Sequence, residues 1–210
     1  MDKKTKVKKI REVFDSVYQD ADCTLDYKDA FHLLVATQLA AQCTDARVNL
    51  VTPALFKRFP DPAAFAGADI GELEELIRST GFYHNKARNL KACGAVLCAE
   101  FGGKVPDTME ELLRLPGVGR KTANLVLGDI FGKPGIVVDT HAGRIARRIG
   151  LTKNQNPTKV EFDLLKIVPK DYQTRFCHQL VLHGRAVCRA QSPNCSTCPI
   201  KEYCDYFRSK

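Results

Sequence analysis

Apolar residues recur along this 210-residue chain three and four positions apart, the spacing of a helix face. Ala87, Leu90, Gly94, Leu97, Cys98 and Phe101 make one such series. Ala123, Val126, Leu127 and Ile130 make a second, and Val160, Leu164, Ile167 and Val168 a third. The stretch AFHLLVATQLAAQ, residues 30–42, is apolar on nearly every side, which predicts a central helix buried all round. Capping residues mark where helices begin. Thr108 with Glu111 forms a capping box, Asp69 with Glu72 a similar one, and Asn156-Pro157 sets proline at the first helical position. The one strand-like run, GIVVD at 135–139, is too short to build a sheet. The expected class is all-α. FGKPG at 131–135, with two glycines and a proline, is the best internal break, and it separates a helical body from a basic, cysteine-bearing region.

Composition narrows the picture. With 44% hydrophobic and 27% charged residues the chain reads as an ordinary globular protein. No apolar run approaches the ~20 residues of a membrane span, and the basic N-terminus lacks the apolar stretch of a secretory signal. The expected location is cytoplasmic, with no membrane partner, and the lysine run at 3–9 reads as the solvated start of a helix. The formal charge is +8, and +6 of it falls between Arg114 and Lys153, where only Asp129 and Asp139 oppose eight basic residues. Such a field suits a polyanion, with nucleic acid the default candidate.

Nine cysteines are many for a reducing compartment. Cys23, Cys43, Cys93, Cys98 and Cys177 are scattered, which predicts buried apolar packing. Cys188, Cys195, Cys198 and Cys204 are clustered as C-x6-C-x2-C-x5-C, which points to a metal. Structural zinc usually shows two C-x2-C pairs and this has one, yet spacing alone leaves zinc and an iron–sulfur cluster both open.

LPGVGRKTANLVLG, 115–128, has the look of a phosphate-binding loop. A P-loop needs glycine directly before its lysine and a strand ahead of it; here Arg120 precedes Lys121 and the preceding DTMEELLRL is helical. The dinucleotide pattern fails as well, because Thr122 stands where its third glycine belongs. What remains is a helix, a tight turn through Pro116, Gly117, Val118 and Gly119, and a second helix whose N-terminal end is positive. Backbone N–H groups there can hold a phosphate without reading a base. A plain connection between two helices is the alternative.

Four segments in order together resemble the endonuclease III family of helix-hairpin-helix DNA-repair glycosylases. They are LAAQCTD (39–45), LPGVGRKTANLVL (115–127), VVDTHAGRIARRIG (137–150) and the terminal cysteine pattern, covering about residues 28 to 204. The resemblance implies two helical lobes with a DNA-binding groove between them. One would be a six-helix barrel domain with the hairpin at 23–133, the other a helical iron–sulfur domain from 1–22 plus 134–210. It implies a [4Fe–4S] cluster on Cys188, Cys195, Cys198 and Cys204. It also implies a monomer acting on double-stranded DNA with damaged pyrimidines or abasic sites.

Two residues carry the chemistry in that family's pattern, Lys121 as nucleophile and Asp139 as the essential carboxylate. The chemistry is reasonable for these residue types. A lysine attacks only when neutral, and burial together with a helix N-terminus would favour that form. The amine would displace a damaged base from its sugar, form a Schiff base and permit β-elimination. Asp139 would stabilise the cationic sugar and also cap the helix that starts near Thr140. Read without the family, Lys121 is a phosphate contact and Asp139 a helix cap. Resemblance further implies that Gln42 fills the gap left by an extruded base and that Phe82, in TGFYHNKA (80–87), is a wedge. Taken alone, Gln42 reads as a helix-end polar residue and Phe82 as a core aromatic. Arg120, His141 and Arg144 join the hairpin residues as expected DNA contacts. Ala142-Gly143 departs from the bulkier apolar residues of better-known relatives, which leaves substrate preference open. Two rivals remain. One is a monofunctional mismatch glycosylase of the same superfamily, against which Lys121 argues; the other is a non-catalytic DNA-binding module stapled by metal.

Overall fold

The computed structural model describes residues 1–209, and among these every regular element is helical. The GIVVD run is extended without pairing into a sheet. The chain divides into two compact units, residues 23–132 and residues 1–22 with 133–210. In chain order α1 (Lys3–Val17) belongs to the second unit. The first unit holds α2 (Ala30–Leu39), α3 (Asp45–Arg58), α4 (Pro62–Ala66), α5 (Ile70–Ile77), α6 (Tyr83–Phe101), α7 (Met109–Leu112) and α8 (Arg120–Asp129). The second continues with α9 (Thr140–Arg148), α10 (Pro157–Leu165), α11 (Gln173–Ala186) and α12 (Asp205–Arg208). No described helix is long and apolar enough to cross a membrane.

The first unit is built around α2. Every residue from Phe31 to Leu39 is buried, as the all-round apolar pattern requires. Leu55, Phe65, Leu73, Leu97 and Val126 from the surrounding helices share its core. The stripe on α6 includes Gly94 for a steric reason: a Cβ there would lie 2.6 Å from the carbonyl oxygen of Pro62, so α4 and α6 touch backbone to backbone. Cys98, expected to pack inside with that stripe, is instead exposed; Cys93 and Cys177 are buried, and Cys23 and Cys43 are half-buried. One residue on from Leu97, Cys98 has already rotated about 100° off the buried face.

The helix starts follow their capping signals. Thr108 accepts the Glu111 N–H at 3.3 Å and donates its hydroxyl to the Glu111 carboxylate at 2.7 Å. Asp69 accepts from the Glu72 N–H at 2.9 Å and Asn156 from the Lys159 N–H at 3.1 Å. In the second unit Ile10 and Phe14 of α1, Ile145 of α9, Leu164 of α10 and Phe176 and Leu180 of α11 are buried. The lysine run is not wholly solvated. Lys6 is buried, with Nζ 2.6 Å from Asp205 Oδ1 and 2.7 Å from the Ile149 carbonyl oxygen, so it ties α1 to the C-terminal tail.

Candidate active site and metal centre

Within the first unit, α2 through α5 and α7 each begin with an Asp or Thr side chain accepting a first-turn N–H; α6 and α8 have no such cap. These two uncapped helices begin at the segments expected to meet DNA.

Ahead of α8, Gly117 adopts φ +78°, a left-handed conformation that glycine takes without steric cost. A Cβ there would also lie 2.4 Å from Gln38 Oε1 and 2.9 Å from Asn89 Cβ, so the turn is pressed onto α2 and α6. Val118 buries its side chain, which leaves only its backbone to face outward. Gly119 is the N-cap and brings no side chain to the N–H groups of the first turn. An anion can occupy that place, with the positive end of α8 in its favour. Arg120 is half-buried and Lys121 exposed. The burial expected for Lys121 from the sequence is therefore not found. What surrounds the amine is the open N-terminal end of α8.

Gln42 and Phe82 both stand in left-handed backbone, at φ 55° and 50°. For a residue with a Cβ such a conformation is strained and persists only where the surrounding structure imposes it. Gln42 is exposed, in a turn beyond the end of α2. Phe82 is 62% exposed, so it is not a core aromatic. Between them lies a residue that the sequence reading passed over. Lys86 is buried, with Nζ 2.8 Å from both the Leu39 and the Thr80 carbonyl oxygens. Its signal was available: Lys86 sits four residues before Leu90, on the apolar stripe of α6.

In the second unit, Asp139 is the N-cap of α9, its Oδ1 2.7 Å from the Ala142 N–H donor. Its placement is fixed from behind by Ile136 and Val137, both buried, the latter donating its N–H to Cys177 Sγ at 3.2 Å. His141 is half-buried against Gly184, where a Cβ would fall 2.4 Å from its Nδ1. Burial lowers the His141 pKa, Asp139 opposes this, and Arg144 and Arg185 add to the lowering. Arg144, an expected DNA contact, is half-buried. Its Nη2 donates to the Cys188 carbonyl at 2.9 Å and lies 3.1 Å from His141 Nδ1. Arg144 thereby links α9 to the first cysteine loop. Ala142 and Gly143 are both buried.

All four clustered cysteines line one pocket, with Ile149, Val187, Ile200 and Phe207 among its walls. Burial pushes the Cys198 thiol up to about 11 and raises Cys204 too. A cationic centre in this largely apolar pocket would favour the thiolate form of both. Zinc at ~2.3 Å from each sulfur would hold four of them about 3.8 Å apart. Four cysteine sulfurs around one pocket equally suit an iron–sulfur cluster with a thiolate at each corner. Arg148 straps the loop between the first two cysteines, donating to the Arg189 and Ala190 carbonyls at 2.6 and 2.9 Å, with Nη1 3.3 Å from Cys188 Sγ. His183, a second residue the sequence reading missed, is buried with Nε2 3.7 Å from Cys198 Sγ and Nδ1 2.9 Å from the Tyr18 hydroxyl.

A helix-hairpin-helix on one unit and a four-cysteine pocket on the other define a class of DNA-repair protein, and comparison with known families agrees. The model described as HhH-GPD superfamily base excision DNA repair protein matches residues 35–170. The iron–sulfur binding domain of endonuclease III matches residues 188–204. This chain belongs to the endonuclease III family. Endonuclease III of Synechocystis sp. is 49% identical over 203 residues, 96% of this chain and 93% of that protein. Endonuclease III of Escherichia coli is 40% identical over 182 residues, 87% and 86% of the two chains. A solved non-covalent endonuclease III–DNA complex is similar with a TM-score of 0.94 and 40% identity, covering 100% of this chain and 98% of that one. A trapped endonuclease III–DNA covalent intermediate is similar with the same score and identity, over 100% and 99%.

Proposed function

We propose that this chain removes oxidised pyrimidines from duplex DNA and then cuts the strand 3′ to the abasic site. It is a bifunctional DNA glycosylase and AP lyase of base excision repair, acting as a cytoplasmic monomer on DNA. The observation that carries the reading is Lys121, an exposed amine in the first turn of the uncapped helix that leaves the hairpin. The hairpin backbone holds a phosphate, and the amine is then placed beside the adjoining sugar. A relative's trapped covalent intermediate on DNA supports a nucleophile of this kind.

Lys121 Nζ attacks C1′ of the damaged nucleoside, the C1′–N bond breaks, and the base departs with its bonding electrons. Asp139 stabilises positive charge on the sugar and accepts a proton from the attacking amine; the C1′–O4′ bond then breaks, O4′ takes a proton to become a hydroxyl, and nitrogen forms the C1′=N bond of the iminium. Loss of a C2′ proton then expels the 3′ phosphate, and water releases the enzyme. Gln42 pairs with the widowed base and Phe82 replaces lost stacking, offsetting the few kcal/mol needed to extrude a nucleotide. Gly117, Gly119 and Arg120 hold the backbone, and His141 forms part of the wall beside Asp139. The cluster on Cys188, Cys195, Cys198 and Cys204, of [4Fe–4S] type, supplies a structural cross-link to a tail with little core of its own. Lys121→Gln tests the assignment. The variant is expected to bind abasic duplex as wild type does yet neither nick it nor be trapped by borohydride. Trapping at the wild-type yield would overturn the nucleophile.

A further inference from the structure

Lys86 is a buried cation with no carboxylate among its hydrogen-bond acceptors. Its two acceptors are the carbonyl of Leu39, the last residue of α2, and that of Thr80, the last residue of the short 3-10 turn Arg78–Thr80. Both carbonyls lie at helix C-terminal ends, where unpaired oxygens gather and the backbone dipoles favour positive charge. Burial lowers the amine's pKa, and the Cys43 thiol opposes this. One ammonium thus caps two elements at once.

Those two elements end where the DNA-penetrating arms begin. Gln42 follows Leu39 by three residues and Phe82 follows Thr80 by two, and each arm then turns through a left-handed residue. Glycine would adopt those angles freely; a glutamine and a phenylalanine must be held there. We propose that Lys86 is a positioning residue that locks the Gln42 and Phe82 arms to a common anchor, so that both enter the duplex as one preformed unit. Without it each arm would have to be ordered separately during base extrusion, and a displacement of about 1 Å between them would misplace the opened nucleotide. The inference rests on the reading of Gln42 and Phe82 as the residues that fill and wedge the duplex.

The test compares borohydride trapping on an abasic site in duplex DNA with trapping on the same site in a single strand, which needs no opening. Lys86→Met is measured at a temperature where circular dichroism shows it folded. Duplex trapping is expected to fall roughly tenfold to a hundredfold while single-strand trapping stays at the wild-type rate. Equal rates to wild type on both substrates, or equal losses on both, would overturn the proposal, the second result marking Lys86 as merely structural. If Lys86→Met does not fold, Lys86→Gln serves instead, because its shorter amide cannot reach both carbonyls; an unchanged duplex-to-single-strand ratio would overturn the idea. Gln42→Ala and Phe82→Ala identify which premise has failed. If neither lowers duplex trapping selectively, the reading of the two arms is wrong; if both do and the Lys86 variants do not, the anchor is wrong.

Discussion

Asp139 is asked to do two things, to cap α9 and to act on the sugar, and substitution separates them. Its Oδ1 accepts the Ala142 N–H at 2.7 Å. Asn caps about as well as Asp, so Asp139→Asn keeps that bond and forfeits only the attraction of a negative charge to the helix start, about 0.3–1 kcal/mol. Asp139→Ala loses the cap itself, about 1 kcal/mol, which in a chain of this size lowers the melting temperature by roughly 2–4 °C. Chemistry should fall much further and by the same amount in both. Loss of a positioned proton-transfer group lowers the rate by about 10²–10⁴, equivalent to roughly 3–5 kcal/mol of barrier. The assay is single-turnover release of an oxidised pyrimidine, read beside thermal melting. The asparagine variant should melt almost as wild type and be nearly inactive. It should also lower the His141 pKa further, because the Asp139 charge, with a hydrogen bond to the Gly184 backbone, opposes burial there. Base release within threefold of wild type by Asp139→Asn would refute the reasoning and leave Asp139 as a cap alone.

Gly117→Ala should destabilise the first unit by roughly 2–4 kcal/mol and weaken binding to undamaged and abasic duplex alike, seen by melting and by titration. The new Cβ must occupy a left-handed backbone and displace Gln38 and Asn89. Stability should also fall as pH drops through about 6.5, the ordinary histidine value. Burial lowers the pKa of His32, more than Asp29 at 3.2 Å from its Nδ1 raises it. The unfolded chain therefore takes up a proton that the folded chain refuses, and the contribution is intact above that range. His32→Phe, stacking on the nearby Phe56 ring, should flatten the melting temperature between pH 7.5 and 5.5. Elemental analysis should find about four irons and no zinc per chain. Cys198→Ser should lose the visible absorbance and expose the C-terminal tail to proteolysis, whereas Cys98→Ser, at an exposed position, should change neither.

The periodicity of the chain was enough to establish an all-helical protein with α2 at the centre of a core. Capping and turn chemistry act over three or four residues, so Thr108, Asp69 and Asn156 could be assigned from neighbours in sequence. The hairpin glycines and the four terminal cysteines were legible for the same reason, because a turn or a ligand loop is a local pattern.

Distance in sequence defeated the rest. Lys6 reaches Asp205, and Arg144 reaches the carbonyl of Cys188, across intervals that no local pattern registers. Sequence showed each only as a charge, and folding supplied its protein acceptor. Cys98 went the other way, because a helix stripe has edges and packing decides where they fall. Lys86 combines both lessons: its place on an apolar stripe was visible, but only the meeting of two helix ends explains why a cation is stable there. Local chemistry specifies which elements form. Which buried charges find partners depends on contacts that the assembled core creates.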